Sequence, residues 1–142
     1  MWKFESTAET SGDTAAVWRA WEDASHWNSW NPMIQQSGLN GPFATGTAGF
    51  VDPTKGPKAG FVLTSVQPER SWSSRAKMPG GALDFFYELV PLSTGTRIVM
   101  RAEIHGPLWP LYSILVGRPV KQGLPTAVRN LKARAEQPAA TA

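Results

Sequence analysis

Polar and apolar residues alternate over residues 2–10, with Trp2, Phe4, Ser6 and Ala8 set against Lys3, Glu5, Thr7 and Glu9. Side chains two apart share one face of an extended chain, so this stretch predicts a half-buried strand. "SGD" ends it, and Asp13 is a good N-cap for "TAAVWRAWED", where Val17 and Trp21 lie four apart with Trp18 beside them. A second short helix is expected within "DASHWNSW", closed by Asn31-Pro32 because the residue before a proline avoids helical angles.

From Ile34 to His105 the pattern becomes strand and turn. "GLNGPFATG" and "DPTKGPKAG" hold the Gly, Pro, Asn and Asp clusters of tight connections. Between and after them come "TAGFV", "GFVLTSV", "RSWSSRAKM", "ALDFFYELV" and "TRIVMRAEI", each a strand long and each following its predecessor after a short turn. An antiparallel meander is the economical arrangement. "STGT" predicts a hairpin with Gly95 at positive φ. In the last third Leu108, Leu111, Tyr112, Leu115, Val120, Leu124, Val128 and Leu131 recur at three- and four-residue steps, a helical stripe. The prolines of "GRP" and "GLP" are expected to kink or break that helix, and "EQPAATA" to fray.

Parity sorts the strands into faces. Trp72, Ser74, Ala76 and Met78 fall together, as do Leu83, Phe85, Tyr87 and Leu89, and Ile98, Met100, Ala102 and Ile104. The opposite face carries Arg75, Lys77, Asp84, Glu88, Arg97, Arg101 and Glu103, which predicts cross-strand ion pairs there.

Composition narrows the function classes. The chain of 142 residues is the length of one domain. Without cysteine it has no disulfide framework and no thiolate metal site, which suits a cytoplasmic location. The start, "MWKFESTAET", lacks the apolar stretch of a signal peptide, and the run near "LYSILVG" is far short of the ~20 residues of a membrane span, so no stable membrane insertion is expected. A net charge of +3, scattered along the chain, gives no support to nucleic-acid binding. His26 and His105 sit in no metal-binding spacing. "TKGPKAG" lacks the spacing of a phosphate loop, and no serine has the Gly-x-Ser-x-Gly context. No metal, cofactor or catalytic motif emerges.

Strand, two short helices, antiparallel strands and a long C-terminal helix make an α+β, helix-grip arrangement. The segments "VWRAWEDASHWNSWNP", "VQPERSW", "YELVPLSTGTRIVM" and "LPTAVRNLKARAE" resemble, in that order, the START-like superfamily and its polyketide cyclase/dehydrase and lipid-transport (SRPBCC) branch. The resemblance implies one START-like domain over residues 1–136, with a disordered tail over 137–142. It implies a curved antiparallel sheet of about six to seven strands gripping a long kinked C-terminal helix.

A curved sheet and a helix leave a gap, and a gap lined this way favours an apolar or aromatic, lipid- or polyketide-like occupant. The expected lining is Trp27, Trp30, Trp72, Ser74, Met78, Phe85, Tyr87, Leu89, Ile98, Met100, Trp109, Tyr112 and Leu115. Trp27 and Trp30 are placed at the rim, walling the entrance. The competing reading makes Trp21, Trp27 and Trp30 packing material, and Met78 and Met100 gap-fillers. An aromatase/cyclase or dehydratase is the alternative, and it needs Tyr87 or His26 turned inward. A protein-interaction module is the second alternative, hinted at by Phe86 and Val99 on the outer face. A homodimer is left open.

Overall fold

The computed structural model describes residues 1–137. The chain runs β1 (Trp2–Thr10), α1 (Thr14–Glu22), a 3-10 helix (Ala24–Ser29) and β2 (Ile34–Leu39). Strands β3 (Ala48–Pro53), β4 (Ala59–Gln67), β5 (Ser71–Met78), β6 (Gly81–Leu92) and β7 (Gly95–His105) follow. The chain then enters α2 (Trp109–Tyr112), a π-helical turn (Ser113–Gly117) and α3 (Arg118–Ala135). The expected tail beyond Gln137 lies outside the described residues.

One seven-stranded sheet has the order β1-β7-β6-β5-β4-β3-β2, and every pairing is antiparallel. The meander from β2 to β7 puts sequence neighbours side by side, and β1 closes onto the last strand. This is the helix-grip layout. Register confirms the parity: Tyr87 stands opposite Trp72 and Met100, and Leu89 opposite Ile98. Along β7 burial alternates without a fault, and Ile98, Met100, Ala102 and Ile104 are all fully buried.

Local signals account for the boundaries. The Asp13 carboxylate accepts from the Ala16 amide at 2.9 Å, capping α1. Gly95 takes φ of 152° in the β6–β7 hairpin, where a Cβ would run into the Thr10 carbonyl, so only glycine fits.

The C-terminal helix decides between the two outcomes expected of its prolines. α3 is continuous from Arg118 to Ala135 with Pro125 inside it, and "GLP" does not break it. The "GRP" proline acts differently. Pro119 has no N–H for the carbonyl four residues back, and the helix before it widens into the π turn at Ser113–Gly117. Gly117 there sits against the Trp2 ring, with room for a Cβ only at 3.0 Å. The helix bends its hydrogen-bond pattern instead of stopping.

Strand β2 has no counterpart among the expected strands. "IQQSGL" shows no apolar alternation because it is an edge strand that anchors through polar groups. Its buried Ser37 hydroxyl donates to the Ala24 carbonyl at 2.6 Å.

Candidate functional site

The concave face divides into two depths. In the deep part Trp21, Trp27, Trp72 and Tyr87 are all buried. Trp72 is stacked between Tyr87 (ring centroids 3.8 Å apart) and Trp27 (5.3 Å). Trp21 meets both Trp72 and Tyr87 edge-on at 6.2 and 5.6 Å. Phe43, from the β2–β3 connection, closes this stack against Trp72 and Trp18 at 5.2 and 5.5 Å. The edge-to-face contacts, at 5.2–6.2 Å, are a favoured aromatic geometry, while Trp72 and Tyr87 stack face to face as cross-strand neighbours. The hollow expected here is therefore filled by the protein's own rings.

The shallow part, toward the end of the sheet where β1 begins and β5 turns into β6, is different. Phe4, Ala76, Leu83 and Phe85 lie on the same concave face and pack on the core, yet stay half-buried. Met78 and Tyr112 are also half-buried there, and the Tyr112 hydroxyl donates to the Pro79 carbonyl at 2.6 Å. Val116, in the π turn, packs on the core from the helix side. Half-buried apolar side chains thus gather at this end of the grip, its mouth.

Of the expected lining, Phe85, Met78 and Tyr112 stand at this mouth. Trp72, Ser74, Tyr87, Leu89, Ile98 and Met100 face inward but belong to the packed interior. Trp27 and Trp30 are not at a rim. They are 4% and 2% exposed, and the Trp27 indole donates to the Trp21 carbonyl at 2.7 Å, because the 3-10 helix folds back onto the sheet. Trp109 and Leu115 do not line the gap either, since they are 37% and 60% exposed on the outer side of the helix. Sequence reasoning missed Phe4, Phe43 and Val116. The β1 alternation pointed at Phe4, whereas nothing in "GLNGPFATG" marked Phe43 as a plug.

The indole N–H groups of Trp21, Trp30 and Trp72 are buried with no acceptor among the described residues. A buried donor left unpaired costs about 1–3 kcal/mol, so each is a place where an oxygen brought in from outside would be favoured. Tyr87 is buried among rings, and desolvation pushes its hydroxyl pKa well above the ordinary value of 10.0. Because the folded state holds this proton more tightly than the unfolded chain, its contribution is intact below about pH 10 and is lost as pH rises further. We expect ultraviolet titration to show Tyr87 ionising only as the fold opens, with stability falling by up to about 1.4 kcal/mol per pH unit above about pH 10. Ionisation of Tyr87 within a folded protein at its ordinary pH would contradict this burial.

His26 points to solvent with a side chain 66% exposed, and its Nδ1 faces Asp23 at 2.9 Å. Ser25 Oγ approaches the same nitrogen at 3.2 Å. A relay needs the serine and the carboxylate on opposite ring nitrogens, so this trio is a local surface cluster. His105 joins the outer face, 2.9 Å from Glu103 and 3.6 Å from Asp84. The expected pairing of charges there is present in Arg75–Asp84 at 2.7 Å and Arg97–Glu9 at 3.2 Å. Arg101 instead pairs along its own strand with Glu103 at 2.9 Å and lies over the Phe86 ring at 4.5 Å. Among the described residues no group of three or more His, Asp or Glu could hold a metal. Two open clefts lie elsewhere. One, of about 400 Å³, lies between Ser29, Asn130 and Arg134; the other, of about 370 Å³, lies on the convex face around Ser65, Ser73, Phe86 and Arg101.

A seven-stranded antiparallel sheet curled round one C-terminal helix, with an apolar concave face, defines the helix-grip class of the START-like superfamily. The chain belongs to the polyketide cyclase / dehydrase and lipid transport family, whose model matches residues 1–136. No curated protein matches the sequence. Several solved structures share the fold. The di-domain ARO/CYC StfQ from the steffimycin biosynthetic pathway is similar at TM-score 0.77 and 14% identity, covering 94% of this chain and 50% of that one. Protein MLL2253 from Mesorhizobium loti is similar at 0.74 and 16%, covering 94% and 96%. Norcoclaurine synthase from Thalictrum flavum is similar at 0.70 and 14%, covering 93% and 84%. At such identities the likeness is one of fold. No helix among the described residues is long and apolar enough to cross a membrane.

Proposed function

We propose that the protein binds a small apolar molecule, aromatic or lipid-like, in the mouth between the sheet and the C-terminal helix. The observation that carries this is the half-burial of Phe4, Ala76, Met78, Leu83, Phe85, Tyr112 and Val116 at one end of the grip, beside a fully packed interior. No charged side chain shares that face of β5, β6 or β7, so an ionic occupant would lose its hydration without a partner. The family description, with its cyclases and lipid transport, fits such an occupant. The unpaired indoles of Trp21 and Trp72 favour a molecule carrying a carbonyl or phenolic oxygen that can reach them if Phe43 or the rings yield. Binding is the reading preferred over catalysis, because His26 is on the surface and Tyr87 is held neutral in the stack.

Thermal melts against flavonoids, fatty acids and polyketide-like aromatics test this. A ligand at about a hundred times its Kd should add ~2.7 kcal/mol to stability. Ala76→Phe, which fills the mouth without emptying the core, should abolish that gain while leaving the unliganded melt within a few degrees. Phe85→Ala should weaken the same ligand. A ligand gain unchanged in both variants would place the binding elsewhere and sink this reading.

A further inference from the structure

We propose that the helix tip over residues 107–115 is a docking surface for an anionic lipid membrane. Leu108, Trp109, Leu111, Ile114 and Leu115 are 43, 37, 49, 53 and 60% exposed. Apart from Met1 and Val62, they are all of the large apolar side chains left exposed among the described residues. They are concentrated in α2 and the π turn, with Pro107 and Pro110 exposed among them. A contiguous apolar patch of this kind on an otherwise well-buried chain marks an interaction surface.

Charge selects the occupant. Between Glu103 and Glu136 there is no carboxylate, and the charged side chains are all cations: Arg118, Lys121, Arg129, Lys132 and Arg134. Arg118 and Lys121 are exposed in the turns directly after the patch. The strand ends beneath the patch add exposed Lys3 and Lys77. Register sets Trp2 opposite Ile104 and Met78 opposite Gly81, while Leu108 donates its amide to the Gly80 carbonyl at 3.0 Å. The nearest carboxylates on the convex face, Glu103 and Asp84, are already paired with Arg101 and Arg75. Glu9, Glu69 and Glu136 gather at the opposite end, around Thr10, Ser11 and Thr14.

Apolar side chains including a tryptophan, flanked by cations, match the interfacial zone of a bilayer with negative headgroups. A second copy of the chain fits worse. Self-docking about a two-fold axis would bring Lys77, Arg118 and Lys121 against the same cations. Binding of this kind is peripheral and reversible, since no described helix is long and apolar enough to span. It does not depend on the mouth holding a ligand.

Flotation with vesicles of phosphatidylcholine alone, or with a third phosphatidylglycerol, tests it. The protein should float with the anionic vesicles and be released at least about tenfold by half-molar salt. Ile114→Asp with Leu115→Asp should cut binding at least about tenfold. Both side chains are more than half exposed, so circular dichroism and the melt should not change. Lys77→Glu with Lys121→Glu keeps the apolar patch and should remove the preference for anionic vesicles. Three results overturn the proposal: no flotation with either vesicle, flotation untouched by both double variants, or a concentration-dependent dimer in sedimentation that Ile114→Asp with Leu115→Asp dissolves.

Discussion

Trp72→Ala is expected to cost about 3–5 kcal/mol and to lower the melting temperature by about 10–15 °C. Trp72 is 2% exposed and stands at the centre of the aromatic stack, touching Tyr87, Trp27, Trp21 and Phe43. Truncation opens a void among rings that are fixed on four separate elements and cannot collapse together, so the cavity cost adds to the lost burial. Trp72→Phe is the informative partner. It keeps much of the stacking and deletes the unpaired indole N–H, and the two effects partly cancel. Its cost should be about 1 kcal/mol, measured by urea denaturation. Should Trp72→Phe cost as much as the alanine, the indole nitrogen has an acceptor in solution, and the stack does not owe its stability to ring packing alone.

The strands and their faces were legible because burial writes a period of two into β1 and β7, while on β5 and β6 the alternation of apolar and charged residues marks the faces even though Ser73 and Asp84 are buried on the outer one. The edge strand β2 wrote no such pattern. Gln35 and Gln36 face solvent, and the strand is held by Ser37 bonding to Ala24. The prolines were legible as disturbances of the last helix but not in their outcome. Whether Pro119 breaks a helix or widens a turn depends on packing, here on Gly117 lying flat against Trp2.

The candidate site was legible in direction but not in depth. Parity says that Tyr87, Phe85 and Leu83 share a face, and they do. It cannot say that Tyr87 lies under Trp21 while Phe85 and Leu83 are half open, because α1 and the 3-10 helix set that difference from across the fold. The clustered tryptophans of "WEDASHWNSW" are explained in the same way. Trp21, Trp27 and Trp30 fill the space that a short helical pair and a curved sheet leave between them, which is why they wall no entrance. Leu115 belongs to the helical stripe that the sequence predicts, and Trp109 lies one residue off it. The widened turn at Ser113–Gly117 contains Leu115 and interrupts the stripe between its α2 and α3 parts, and both side chains are exposed.

Removing Arg75 should cost far more than removing its partner, Asp84. The two are cross-strand neighbours on β5 and β6, joined through Nε–Oδ1 and Nη2–Oδ2 contacts of 2.7 Å each. The fork geometry makes this the strongest kind of neutralising contact, and the bond to Asp84 raises the Arg75 pKa further above its ordinary value. The pair is lopsided in burial: the Asp84 side chain is 8% exposed and that of Arg75 48%. Arg75→Ala strands a carboxylate in a nearly dry position, with only His105, at 3.6 Å, to answer it among the described residues, whereas Asp84→Ala returns an already half-solvated guanidinium to water. The expected losses are about 3 kcal/mol for Arg75→Ala and about 1 kcal/mol for Asp84→Ala, read from urea midpoints at constant m. The double variant should cost less than the sum, and Arg75→Met with Asp84→Leu should be close to the parent, since no charge is then left buried. Equal losses in the two single variants would mean that water reaches Asp84 freely. The apolar seal along the β5–β6 ladder, which also bounds the mouth on the other face, would then be looser than its geometry implies.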